Sequence, residues 1–175
     1  MSVFAGPFAI AVCLLAIAGV AKATQPAATA GALAALRHPH RRWMVRAGGL
    51  AEALLAGAAL LSGNGTLAIL VGVSYVGFAL FVVGALSKGT PLSSCGCFGR
   101  VDTPPHPVHI VLNLLAAFAA IGIAADGGAP IGDVLASQPM AGVPFALLVV
   151  IGVAAAGLAM SALPRTLAVA RGRAT

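Results

Sequence analysis

Two cysteines separated by a single glycine lie in the stretch Pro91-Leu92-Ser93-Ser94-Cys95-Gly96-Cys97-Phe98-Gly99-Arg100, where the chain concentrates its reactive side chains. A disulfide between residues two apart closes a small ring, and the Cα separation that a disulfide needs, about 4.4 to 6.8 Å, is reached there only in a restricted backbone conformation. Gly96 supplies the conformational freedom that such a closure requires. A strained bond of this kind is easier to reduce than a structural disulfide, which favours exchange with a visiting thiol. Arg100, three residues beyond Cys97, would favour a thiolate, as would helix amide groups pointing at the loop. The residue types do not say which sulfur attacks.

Two other readings of the same residues stay open. Cys95, Cys97, His106 and His109 combine two soft and two imidazole ligands, a set suited to zinc or copper, although their spacing is looser than that of a zinc finger. Alternatively Cys95 and Cys97 pin the loop as a static disulfide or pack as free thiols. The third cysteine, Cys13, falls inside an apolar run and reads as a small packed hydrophobe.

The elements that must position this loop are membrane spans. The chain is 60% hydrophobic and only 8% charged, with a mean hydropathy of +1.04, far from the roughly 25% charged content of an ordinary soluble domain. Apolar runs at 3–21, 45–61, 67–86, 107–125 and 143–163 are each long enough to cross a hydrocarbon core. The expected fold is therefore all-α: one multi-span transmembrane helical bundle over residues 1–175, with a four-helix core plus one extra span. The cysteine loop, 88–106, joins the third span to the fourth. No Lys or Arg precedes the first run, so it reads as an uncleaved helix and not as a secretory signal. The connector that follows holds an Ala-rich piece, 27–36, too short to span and expected to lie at the surface or partly inserted.

A net charge of +6 raises the question of nucleic acid, but the bases flank apolar runs and form no stripe interleaved with aromatics. They read as topology signals beside lipid headgroups, with His38 and His40 part of the same basic collar. With alternating loops, every Lys and Arg falls on the side of the first connector, the cysteine loop and the C-terminal tail, while the opposite side holds Asp126 and Asp133. The positive-inside rule then predicts a plasma-membrane protein with its N-terminus outside, its C-terminus in the cytoplasm and the cysteine loop facing the cytoplasm.

Several residues within the spans invite a role. Glu52 is an ionisable group at membrane depth, so it should face the bundle interior and find a partner, with Arg46 one candidate. Gly49, Ala53 and Gly57 recur every fourth residue and offer a smooth face for close helix packing. Tyr75 reads as a hydrogen-bonded packing residue more than as a ligand contact. Ser62-Gly63-Asn64-Gly65-Thr66 has the composition of a tight turn. Thr103 with Pro104 looks like the start of the fourth helix, and His106, His109 and Asn113 share one of its faces. Residues 126–140 read as a Gly- and Pro-containing loop.

Cys95-Gly96-Cys97-Phe98-Gly99, followed after a Pro-containing loop by a span with Asn113-Leu114-Leu115, resembles the MauE family of methylamine-utilisation membrane proteins, related to the DoxX-like proteins. Ala18-Gly19-Val20-Ala21-Lys22 closing the first span, and Glu52 early in the second after Arg46, agree with it. The resemblance implies a helical bundle that assists maturation of a disulfide-rich exported client together with a thioredoxin-like partner. In methylamine users that client is the methylamine dehydrogenase small subunit. It supports Cys95 and Cys97 as redox residues, with Glu52 and Asn113 as weaker matches. The expected function is thus a membrane thiol-disulfide redox protein with Cys95, Cys97, Arg100 and Glu52 as its working residues. Membrane lipid, a thioredoxin-like protein and an exported client are the expected partners, and neither a cofactor nor nucleic acid is assigned. The alternatives are a metal-binding or metal-delivery membrane protein and a non-catalytic assembly factor.

Overall fold

A computed structural model of the chain describes residues 2–35, 41–87, 105–163 and 166. Those residues form α1 (Ala5–Thr24), α2 (Pro26–Ala35), α3 (Arg42–Ser62), α4 (Gly65–Ser87), α5 (Pro107–Asp126), α6 (Ile131–Ala136), a 3-10 turn (Pro139–Gly142) and α7 (Val143–Ser161), with no strand among them. Helices α1, α3, α4, α5 and α7, the last extended by the 3-10 turn, are long and apolar enough to cross a membrane. Large apolar side chains such as Leu54, Leu61, Leu80, Leu147, Val150 and Ile151 face outward. A continuous exposed apolar surface of that kind is what a lipid-facing bundle requires and what a protein in water avoids.

The core is an up-and-down bundle of α1, α3, α4 and α5, built from two closely packed antiparallel pairs. In the first, α1 meets α3 at Gly19 and Gly49: a Cβ on Gly19 would lie 2.6 Å from the Gly49 carbonyl oxygen, and one on Gly49 would lie 2.5 Å from the Gly19 oxygen. Only glycine lets two backbones approach this far, which is how small residues hold membrane helices together. Ala53 shares that seam, whereas Gly57, expected to extend it, has nothing within 4 Å of a Cβ position. Below Ala53 the buried small residues of α3 are Ala56 and Ala59, because a straight helix drifts off a strict four-residue period. In the second pair, Gly65 lies beside Ala124 and Gly72 beside Ala117 and Ala120, so α4 and α5 also run antiparallel.

The turn between α3 and α4 follows its residue types. Gly63 takes the left-handed conformation (φ 62°) and its N–H donates to the Ala59 carbonyl at 3.2 Å, ending α3. The Asn64 side-chain oxygen then accepts from the N–H groups of Thr66 (2.8 Å) and Leu67 (3.3 Å), starting α4. At the same end of the bundle, Ser2 donates to the Asp126 carboxylate at 2.6 Å and Phe4 packs edge-on against Phe118, tying the start of α1 to the end of α5.

The fifth spanning helix, α7, lies outside this core. Gly6 faces Phe145 and Leu148 while Gly152 faces Ile10, so α7 runs parallel to α1 along its outer face. The arrangement is the four-helix core plus one extra span that the apolar runs indicate.

Several boundaries differ from the sequence expectation, and the first span, expected to end at 21, runs on to Thr24. Helix α3 begins at Arg42, about one turn before 45, and carries Arg46 on its exposed first turns. Residues 126–140 are not all loop: α6 and part of the 3-10 turn fall there, with Ile131, Val134 and Leu135 packed against the core. Six residues are too few for a periodic signal, and the flanking Gly and Pro mask them. Helix α5 starts at Pro107 with His106 as its cap, its ring Nδ1 accepting from the Val108 N–H at 3.3 Å. Pro107 thus takes the first-turn position expected of Pro104, and Thr103 and Pro104 themselves lie outside the described residues.

Candidate functional site

Cys95, Cys97 and Arg100 lie outside the described residues, as does most of the loop that carries them. The described chain fixes the two ends between which that loop runs, Ser87 closing α4 and Pro107 opening α5. From the antiparallel pairing, both ends emerge on the face where α1 ends and α3 begins. The buried polar side chains of the bundle gather just beneath that face.

The central contact is an ion pair between Lys22 Nζ on α1 and Glu52 Oε2 on α3, 2.5 Å apart. Its side chains are 8% and 20% exposed, so both charges are largely withdrawn from surroundings that could solvate them singly. The close approach at Gly19 and Gly49 makes the pair possible, since it holds the two backbones near enough for a lysine one turn past Gly19 to reach Glu52. Lys22 Nζ also sits 4.2 Å from the centroid of the Phe78 ring on α4, where the aromatic face stabilises the cation. The partner of Glu52 is therefore Lys22 and not Arg46, which is exposed. Lys22 reads in the sequence as a flag at the end of a span. The signal for its role is that a buried acid needs a cation, and Lys22 closes an apolar run of its own.

Phe78 connects the ion pair to a second group of polar residues. It packs edge-on against Tyr75, whose hydroxyl donates to the Ala11 carbonyl oxygen at 2.5 Å in the middle of the bundle. On α5, Asn113 donates through Nδ2 to the His109 carbonyl oxygen at 2.6 Å, and the His109 ring Nδ1 lies 3.2 Å from the His106 carbonyl oxygen. His109 and Asn113 are buried, as their spacing on one face implies. A cavity of about 20 Å³ lies between Tyr75, Phe78, His109 and Asn113, walled by Leu14, Leu15, Ala18 and Met160. That is room for one water molecule.

These contacts bear on the other sequence readings. Tyr75 is a hydrogen-bonded packing residue. Cys13 is partly buried against the apolar core, as a small hydrophobe would be. Among the described residues no three His, Cys, Asp or Glu side chains converge on a point where a metal would sit. The set Cys95, Cys97, His106 and His109 is half outside those residues. Replacing Tyr75 with Phe removes a buried hydroxyl whose acceptor is a helix carbonyl. The expected result is a loss of about 1 kcal/mol of stability, read as a lower midpoint in denaturant titration of the detergent-solubilised protein.

The fold and this polar cluster define a class: a multi-span helical membrane bundle with a charge pair buried beneath the end from which its cysteine loop departs. Within that class the chain belongs to the MauE family, whose description, methylamine utilisation protein MauE, matches residues 1–126. The match ends with α5, so it covers the four-helix core and leaves α6 and α7 beyond it. No curated protein and no solved structure matches the chain.

Proposed function

We propose that this chain is a membrane thiol-disulfide redox protein that assists disulfide formation in, or maturation of, an exported client through a thioredoxin-like partner. The observation that carries the proposal is the Cys95-Gly96-Cys97 string inside the stretch that matches the family. In the exchange, a partner thiolate attacks one sulfur of the Cys95–Cys97 disulfide and forms a mixed disulfide, which the partner's second thiolate resolves. The partner loses two electrons and two protons, and Cys95 and Cys97 gain them as a dithiol. Arg100 favours the thiolate form. Glu52, held by Lys22, keeps a compensated charge pair at the same end of the bundle.

The charge pattern favours a cytoplasmic cysteine loop: Arg41, Arg42 and Arg46 lie at the bundle end where α4 closes and α5 opens, and Asp126 and Asp133 lie at the other. Direct oxidation of an exported client requires the opposite face. A membrane-impermeant maleimide applied to intact cells and to inverted vesicles reads the side.

The redox reading itself is tested by gel-shift labelling of Cys95 and Cys97. The expected result is that a bulky maleimide shifts the protein after reduction and not before, and that Cys95→Ser and Cys97→Ser each leave the client's thiols unpaired. Equal labelling of both sulfurs in oxidised membranes, with no change in any client's redox state on substitution, would overturn it.

A further inference from the structure

The end of the bundle opposite the cysteine loop holds a cavity of about 780 Å³ that the redox reading does not use. It opens between the first turns of α1, the end of α5 and the short helix α6. Its floor is apolar, with Ala5, Phe8, Ala9 and Phe145 all buried, while its lining also includes Asp126 and Asp133, both exposed. A volume in the range of about 300–1,000 Å³ with an apolar floor and a few polar groups has the form of a small-molecule site.

Among the described residues the charge at this end is one-sided. Asp126 accepts from the Ser2 hydroxyl at 2.6 Å, and the only ion pair among the described residues is Lys22–Glu52 at the far end. Asp126 and Asp133 thus meet no base among the described residues. Neither carboxylate sits in the floor, where the cost of burying it would be high; both are exposed at the end of the bundle. A ligand that satisfies both halves of such a site carries a positive charge at one end and an apolar body behind it. An anion meets repulsion at the opening, and a neutral apolar molecule gains nothing there that the surrounding lipid does not already offer.

We propose that this cavity binds an amphipathic organic ammonium compound, its cationic head at Asp126 and Asp133 and its apolar body against Phe8 and Phe145. That chemistry has two sources, the headgroup of an aminophospholipid and a free long-chain amine. The site stands apart from the cysteine chemistry, so its failure would leave the redox reading untouched.

The test uses the full chain in neutral detergent, with dodecylammonium as probe, dodecanol as its uncharged counterpart and native mass spectrometry for retained phosphatidylethanolamine. Dodecylammonium is expected to raise the unfolding temperature saturably, dodecanol is not, and the Asp126→Asn/Asp133→Asn variant is expected to bind roughly fivefold more weakly, the scale of two solvent-facing ion pairs. Asp126→Glu/Asp133→Glu keeps both charges and should bind as the native chain does, which separates loss of charge from loss of fold. Phosphatidylethanolamine retained by the native chain and lost from the Asn variant assigns the lipid source. Saturable dodecylammonium binding without retained lipid assigns the free amine. Equal responses to dodecylammonium and dodecanol, or undiminished binding by the Asn variant, would overturn the proposal.

Discussion

Replacing Lys22 with Met is expected to destabilise the bundle by about 3–5 kcal/mol, enough to cut sharply the amount of folded protein recovered from membranes. The substitution leaves the Glu52 carboxylate beneath the bundle surface with no cation to face. A lone charge in such surroundings must draw in water, take up a proton or pull its helix out of register. The companion variant Lys22→Met/Glu52→Leu removes both charges and keeps apolar volume, and most of the lost stability should return, because a buried pair contributes little net stability over a well-packed apolar one. Denaturant titration of the purified variants reads both results. If Lys22→Met were as stable as the native chain, the pair would not hold α1 to α3. The double variant also separates fold from chemistry: restored folding with lost client oxidation would give the pair a part in the reaction, and retained oxidation would make it structural.

Gly19→Leu is the second large effect. Any side chain at this position runs into backbone atoms of Gly49 and Ala53 rather than into the flexible end of another side chain, so the clash cannot be relieved by a rotamer change. The two helices must separate, which strips the seam of its packing and moves Lys22 away from Glu52 at the same time. A loss of about 3 kcal/mol or more is expected, at the upper end for overpacked positions. Gly57→Leu supplies the contrast. It lies on the same helix as Gly49 with open space around it, and its stability should stay within about 0.5 kcal/mol of the native value. Equal effects at Gly19 and Gly57 would mean that the α1–α3 contact is not the close one described.

The contrast between those glycines shows where sequence reasoning reaches. The spans were legible because each is a long uninterrupted apolar run, and the turn at Gly63 and Asn64 was legible because its chemistry is local: one residue free to adopt positive φ, one side chain able to cap. Pairing between helices is another matter. Glu52 announces that it needs a partner, but Lys22 is 30 residues away, and which cation it meets depends on how α1 and α3 are rotated and shifted against one another. That register is set by Gly19 against Gly49, a match invisible until both helices are placed. The same reasoning explains His106, whose ring caps α5 in place of a threonine with the stronger capping preference. The candidate site divides along this line. Cys95 and Cys97 stand out in the sequence by type and spacing, whereas Lys22 and the Phe78 ring that joins it to Tyr75 emerge only from the packed bundle.

The parallel course of α7 along α1 has a topological effect. Four crossings return a chain to the compartment where it started, so the family-matched part taken alone would have both its ends on one side. The fifth spanning helix, α7, ends at Ser161 at the end of the bundle where α4 closes and α5 opens. A reporter enzyme or fluorophore joined after α7 is therefore expected to report the compartment onto which the ends of α4 and α5 open, without modifying Cys95 or Cys97.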